Sequence, residues 1–441
     1  MHPIYQSSPD GNLSILLCST PVHGHISPLL VVASALVEAG NDVRFLTGTR
    51  YREAVEATGA RWVGLPVDAD YDDSDVDAAF PGRVGRRGVA AAKWDLRHIF
   101  LAPAESQLRA VDALLGDEPA DIVLTETMFL GAMLMLCRPA SERPPVVNLG
   151  IVPLSLTSRD TAPFALGLPP VPGAIGRLRN AFLQWTSERM IFRALHRTAD
   201  DLARATTGHP LATFAMNYPA TADAIVQLSV SEFEYPRSDA KVPVHFVGPV
   251  SKSAPDMELP QWWADLDGGR PIVHVTQGTV ANADLTELVI PTIRALADRD
   301  VLVVATTGGR ELPEIDLPDN ARLASYLPYD LLVPRLSAFV TNGGYGGVHF
   351  ALRHGVPVLA TGNTEDKAEV AARVQWSGAG LRLKPRRGSL DPKQIASAVD
   401  RLLSERHFAV SASRIGASIA EAPGAAGIDG ILREIVRGRA L

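Results

Sequence analysis

The chain reads as an α/β protein with two Rossmann-like domains facing across a cleft, on three observations. Short apolar runs alternate with helix-period segments in two series, one before residue 150 and one after Pro271. The runs are apolar throughout rather than alternating, which is the pattern of parallel strands buried on both faces. At 441 residues the chain is longer than one core normally serves, so two such units are expected.

In the first series, residues 13–20 predict a strand, and a helix over 27–39 follows, with Ser27 as its N-cap, Pro28 in its first turn and Gly40 as its stop. Strand 42–47, helix 51–58 and strand 61–65 come next, then strand 121–125, a helix near 129–137 and strand 146–149. Residues 68–90, rich in Asp, Gly and Arg, interrupt this rhythm as a mobile surface loop, and the proline-rich residues 153–176 resist regular structure. The second series predicts strands at 272–276, 301–306, 339–341 and 356–360, with helices near 285–296, 330–336, 348–354 and 365–376. The Pro- and Ser-containing stretch after Val247 reads as a linker, so the expected division is 1–246, linker 247–262, second domain 263–424, and a final helix within 425–441 that no strand follows.

Bulk properties exclude several classes. A net charge of −7 gives nucleic acid no electrostatic support. Only two cysteines occur, Cys18 and Cys137, without Cys-x-x-Cys spacing, which argues against a disulfide framework or a cysteine-built metal site. Residues 1–12 lack a basic segment and an apolar core, and no apolar run approaches a membrane span, so a cytoplasmic protein is expected. No Gly-x-Gly-x-x-Gly follows the first strand, which counts against a dehydrogenase.

Two loops carry chemistry. Asn342, Gly343, Gly344, Tyr345, Gly346 and Gly347 lie between a strand and a helix, where backbone N–H groups and the helix dipole favour an anion such as a phosphorylated ligand. Between the first strand and first helix lie His23 and His25, where open α/β sheets bind ligands. Imidazole is suited to removing a hydroxyl proton near neutral pH. The two histidines lack a nearby third ligand for a metal.

These residues resemble the signatures of family 1 glycosyltransferases, the inverting UDP- and TDP-sugar enzymes of bacterial macrolide and natural-product type. The donor signature, His-Gly-Gly-x-Gly-Thr followed by Gly-Val-Pro and Asp-Gln, is matched by Gly343, Gly344, Gly346, Gly355, Val356, Pro357 and Asp366; Asn342, Gly347 and Lys367 depart from it. The resemblance implies the GT-B architecture, with the last helix crossing back to the first domain. It implies that the first domain takes the acceptor and the second the nucleotide sugar, with no cofactor and no metal required. His25, three residues before Pro28, takes the place of the family's general base, with His23 as the fallback, and Glu126 stands at the strand end where the family has an aspartate partner. Gly278 and the Thr279 hydroxyl join the glycines around the diphosphate. Tyr326 and Leu327 fall on the family's base-binding element, where Tyr326 would stack on the base or pack in the core. Asp366 would hold sugar hydroxyls, and Lys367 would reach a phosphate or point to solvent.

The function expected is transfer of a hexose from a UDP- or TDP-sugar to a hydroxyl of a lipophilic small molecule, such as a secondary metabolite or antibiotic. Its acceptor contacts would be His23, Trp94, Phe129 and Phe164, with Phe100 and Leu166 on the same loops. The alternatives are a GT-B sugar-nucleotide epimerase or hydrolase and a non-catalytic partner of the same fold.

Overall fold

A computed structural model describes residues 11–251, 257–278, 284–310, 316–362, 366–385 and 390–439. The first sheet has seven strands: β1 (Ser14–Cys18), β2 (Asp42–Thr47), β3 (Arg61–Gly64), β4 (Ile122–Glu126), β5 (Val146–Gly150), β6 (Ala224–Gln227) and β7 (Val244–Phe246), in the order β3-β2-β1-β4-β5-β6-β7. The second has six: β8 (Ile272–Thr276), β9 (Leu302–Thr306), β10 (Ala321–Ala324), β11 (Ala338–Thr341), β12 (Val358–Ala360) and β13 (Gly380–Arg382), in the order β10-β9-β8-β11-β12-β13. Every pairing in both is parallel. The helices that position the site are α1 (His23–Glu38), α2 (Gly88–Asp95), α3 (Gly173–Thr186), α4 (Tyr345–Arg353), α5 (Lys367–Trp376) and α6 (Ile428–Arg439).

Burial on both faces explains the continuous apolar runs. Along β1, Ile15 and Leu17 pack into one cluster with Leu29 and Val32 of α1, while Leu16 and Cys18 pack into another on the opposite face. In β8, Val273 and Val275 face one side and Ile272 the other. Strand order reverses between β1 and β4 in the first sheet and between β8 and β11 in the second, and such switch points leave a crevice beyond the carboxyl ends of the strands.

Those carboxyl ends meet each other. Gln227, closing β6, donates to the Tyr345 hydroxyl in the first turn of α4 at 3.1 Å. Ser229 bonds His349 of α4 at 2.8 Å, and Tyr345 donates to Glu234 at 3.0 Å. The α6 helix returns to the first sheet: Ile428 and Leu432 lie in the cluster that holds Leu17 and Phe45. Asn41 donates to Asp429 at 2.8 Å, and Arg439 pairs with Asp223.

Several expectations need correction. Helix α1 begins at His23, not after Ser27, so Ser27 is no cap; its hydroxyl donates back to the His23 carbonyl at 2.8 Å. The cap comes from afar, since the Asp73 carboxylate accepts the His23 N–H at 2.6 Å. That contact also alters the reading of 68–90, which carries short helical turns and is anchored by Tyr51 and Arg50 donating to Asp73. The helix expected over 51–58 spans only Arg52–Glu56, and that expected over 330–336 is one turn, Tyr329–Leu332, followed by a 3-10 turn. Strands β6, β7, β10 and β13 were not anticipated. Residues 151–172 are irregular, as their prolines suggest.

Candidate active site

Strand β1 delivers the chain to the switch point, and α1 starts three residues after Thr20. His25, in the first turn of α1, turns its ring toward β4 and is 15% exposed. Its Nδ1 lies 3.1 Å from Oε2 of Glu126, which closes β4 and is fully buried. The pairing Cys18↔Thr125 shows why: the two strands end side by side. Thr20 links the pair, with its Oγ1 2.8 Å from Glu126 Oε1 and 3.2 Å from His25 Nδ1. The Met128 N–H donates to Glu126 Oε2 at 2.6 Å and the Thr20 N–H to Oε1 at 3.2 Å. Burial by itself would raise the Glu126 carboxyl, but the His25 ring and these donors outweigh it and hold the group below its ordinary value. A carboxylate fixed on Nδ1 favours the tautomer with its proton there, leaving Nε2 as the basic nitrogen. Thr20 carried no signal of this role beyond its place in the turn two residues after β1.

Around this pair the acceptor candidates separate. Phe100 lies parallel to the His25 ring, centroids 6.3 Å apart. Trp94, in α2, is half-buried and stacks on His98 at 4.6 Å. His23 is exposed, with Nε2 3.3 Å from the Ser27 hydroxyl. Phe164 is half-buried and Leu166 exposed on the irregular stretch before α3. Phe129 does not belong with them: it is fully buried among Leu16, Val123 and Leu134, so it is a core residue. An apolar residue looks the same in sequence whether it lines a pocket or fills a core.

The second switch point lies between β8 and β11, where Thr276 and Thr341 are register partners. Beyond β11, Gly343 takes φ +95°, a left-handed conformation that suits glycine, and its N–H bonds Thr341 Oγ1 at 3.2 Å. Gly344 caps α4, so Tyr345, Gly346 and Gly347 form its first turn, whose N–H groups have no acceptor within the helix. Across the gap, Gly278 is exposed after β8 and bonds Thr276 Oγ1 through its N–H at 3.1 Å. Asn342 bridges the two loops by donating to the Gln277 carbonyl. Thr279 lies outside the described residues.

Asp366 caps α5, and Lys367 begins it. Of the two expectations for Lys367, pointing to solvent is overturned: it is 8% exposed, and its Cβ is 3.6 Å from where a Cβ on Gly343 would sit. Tyr326 is 47% exposed and donates to the Gly308 carbonyl at 2.9 Å, so core packing does not account for it. Leu327 buries its side chain in the core, which leaves its backbone for any ligand contact. Among the described residues no group of three His, Cys, Asp or Glu side chains is placed to hold a metal ion, and no helix is long and apolar enough to cross a membrane.

Comparison with known proteins agrees with this arrangement. Residues 291–435 match the family described as erythromycin biosynthesis protein CIII-like, C-terminal domain. Over 406 residues the chain is 44% identical to the 4'-demethylrebeccamycin synthase of Lentzea aerocolonigenes, covering 91% of this chain and 94% of that protein. It is 33% identical over 422 residues to UDP-glycosyltransferase 2 of Phaeomoniella chlamydospora, covering 89% of each. The crystal structure of CalG4, the calicheamicin glycosyltransferase, aligns with a TM-score of 0.72 over 96% of this chain and 98% of that one, at 21% identity, a likeness of fold. With two parallel sheets, a crossing-back helix and relatives of this kind over nine-tenths of its length, the chain belongs to the nucleotide-sugar-dependent glycosyltransferases of the GT-B fold.

Proposed function

We propose that this glycosyltransferase moves a hexose from a UDP- or TDP-sugar to a hydroxyl of a lipophilic small molecule, inverting the anomeric centre. The observation that carries the reading is the His25–Glu126 pair at one switch point, set against a glycine turn and helix N-terminus at the other. The acceptor hydroxyl sits on His25 Nε2. Its oxygen attacks the anomeric carbon from the face opposite the diphosphate, its proton passes to Nε2, and the bond from the anomeric carbon to the β-phosphate oxygen breaks. Glu126 stabilises the imidazolium that forms.

Negative charge grows on the leaving diphosphate. The N–H groups of Gly344, Gly346 and Gly347, with Gly343, Gly278, the Thr279 hydroxyl and Asn342 alongside, are the donors for it, and stabilisation there lowers the barrier directly. Lys367, buried beside Gly343, adds positive charge next to the phosphates. Asp366 takes sugar hydroxyls, Tyr326 stacks on the base, and the Leu327 backbone pairs with its edge. His23, Trp94, Phe100 and Phe164 receive the acceptor. No divalent ion has a part in this scheme. Two unpaired cysteines fit action in the cytoplasm.

Calorimetric titration with UDP, TDP, UDP-glucose and TDP-glucose in the presence of a chelator tests the donor half. One nucleotide pair is expected to bind, and the sugar form should then support transfer to members of a panel of hydroxylated aromatic and macrolactone acceptors. Absence of binding by all four would sink the donor assignment, and binding without transfer to any acceptor would favour hydrolysis or a non-catalytic role.

A further inference from the structure

The irregular stretch between β5 and α3 does not stay with its own domain. Its early part is held by first-domain groups, with Leu154 N–H donating to Glu234 at 3.1 Å and Thr157 N–H to Asn217 at 2.9 Å. At Gly167 it crosses over. The Gly167 N–H donates to Glu369 of α5 at 2.7 Å, and the Gly167 carbonyl accepts from Arg382 of β13 at 2.6 Å. A Cβ at this position would lie 2.6 Å from the Ala368 carbonyl oxygen and 2.7 Å from Arg382, at φ +56°, so the backbone rests against α5 where only glycine fits. Two residues earlier, Ala165 is held at φ +72°, a conformation an alanine keeps only when its surroundings impose it.

Helix α5 supplies both ends of the connection. Asp366 caps it, Glu369 follows one turn on and Arg373 one turn further, all on one face. Glu369 accepts from Arg373 at 2.8 Å, and Arg373 reaches Glu234 at 2.9 Å with no exposure to solvent. Glu234 in turn accepts from Leu154 and from Tyr345 of the glycine turn. The beginning and end of the loop that carries Phe164 and Leu166 therefore hang from the helix that presents Asp366.

We propose that Gly167, Glu369 and Arg382 are positioning residues that set the acceptor wall from the donor-binding helix α5 and the strand β13 that follows it, so that the two substrates are aligned by one helix–strand unit. The inference rests on the assignments of Phe164 and Asp366 given above.

The test uses the full chain with Gly167→Ala, Glu369→Gln and Arg382→Gln. Glu369 serves the Gly167 N–H through Oε1 and Arg373 through Oε2, so Glu369→Gln, with one acceptor oxygen, cannot serve both as the carboxylate does. Each variant is measured for UDP and TDP affinity by calorimetry, for acceptor KM and kcat at saturating donor, and for amide exchange in residues 160–172. Loss of one charge-assisted hydrogen bond corresponds to roughly a tenfold effect. The expected result is a rise of about tenfold in acceptor KM and faster exchange in 160–172, with nucleotide affinity and donor KM unchanged. Should Gly167→Ala not fold, the other two variants carry the test. Unchanged acceptor KM in folded variants, or acceptor KM and nucleotide affinity worsening together, would overturn the proposal. A parent protein that transfers no sugar refutes the proposed function instead, and the exchange measurement still decides whether Glu369 and Arg382 hold the loop.

Discussion

Glu126 shows how one side chain can be placed by several weak demands at once. It carries one methylene more than the aspartate usual in this family, yet its carboxylate meets His25, Thr20 and the Met128 N–H within 3.2 Å. Replacing His25 by alanine should lower kcat by about 10²–10⁴ while leaving nucleotide affinity intact. Glu126→Gln should lower it by up to about 10⁴, because the amide no longer favours the productive tautomer. Single-turnover kinetics alongside calorimetry checks both, and near-normal turnover of His25→Ala would remove it as the base. The proximity of His25 and Glu126 was legible because the family resemblance put a base at His25 and a carboxylate partner at the end of β4, and the structure sets the two side chains 3.1 Å apart. Phe129 and Thr20 were not legible, since a phenylalanine suits a core as well as a pocket, and a threonine's hydroxyl has partners almost anywhere.

At the scale of elements, apolar runs located most strands, even β12 with three residues, while β7, β10 and β13 were missed because they are sheet edges, only partly buried and without a continuous apolar run, and β6 was missed although it is buried throughout. The start of α1 was missed because its cap, Asp73, is fifty residues away in sequence, and local capping rules see only near neighbours. Two elements also carry buried histidines: His274 in β8 donates through Nδ1 to the Val304 carbonyl and accepts at Nε2 from the Tyr329 hydroxyl, and His349 in α4 donates through Nδ1 to the Tyr345 carbonyl and accepts at Nε2 from the Ser229 hydroxyl. Burial pushes both imidazoles down to about 4. An unfolded histidine takes a proton near pH 6.5. Between that pH and about 4 the unfolded chain therefore binds protons that the native one does not, and stability falls as pH is lowered through this window. The slope is at most ~1.4 kcal/mol per pH unit for each histidine. Urea midpoints from pH 7 to 4.5 should show it, and His349→Gln should flatten the slope; an unaltered slope would remove His349 as a contributor.

Over the whole molecule, the two sheets are joined by buried charge as well as by apolar surface. Arg373, Glu234 and Glu369 are fully or nearly fully buried, and removing one member of such a set typically costs about 3–5 kcal/mol, because the others are left unpaired. Composition and motif spacing announced two domains and the glycine turn, but not this network, whose Arg373–Glu234 pair joins residues 139 apart in sequence. For α6 the amphipathic pattern was readable, and the family resemblance returned it to the first domain, where Ile428 and Leu432 join the cluster of Leu17 and Phe45. Leu432→Ala should cost about 2–5 kcal/mol and loosen amide protection in β1 and β2, nearly four hundred residues upstream. Protection unchanged there would mean that α6 is only a surface decoration.

That return of α6 has a consequence for how the protein comes into being. The first sheet leaves the ribosome long before Ile428 and Leu432 exist, so Leu17, Leu29 and Phe45 must wait with an open flank. The interval from the end of β7 to the start of α6 is roughly 180 residues, and at ~5–20 residues per second it lasts on the order of ten to forty seconds. During that time the flank that α6 will cover stays open to solvent, and a stall anywhere in the second domain leaves the first unfinished as well.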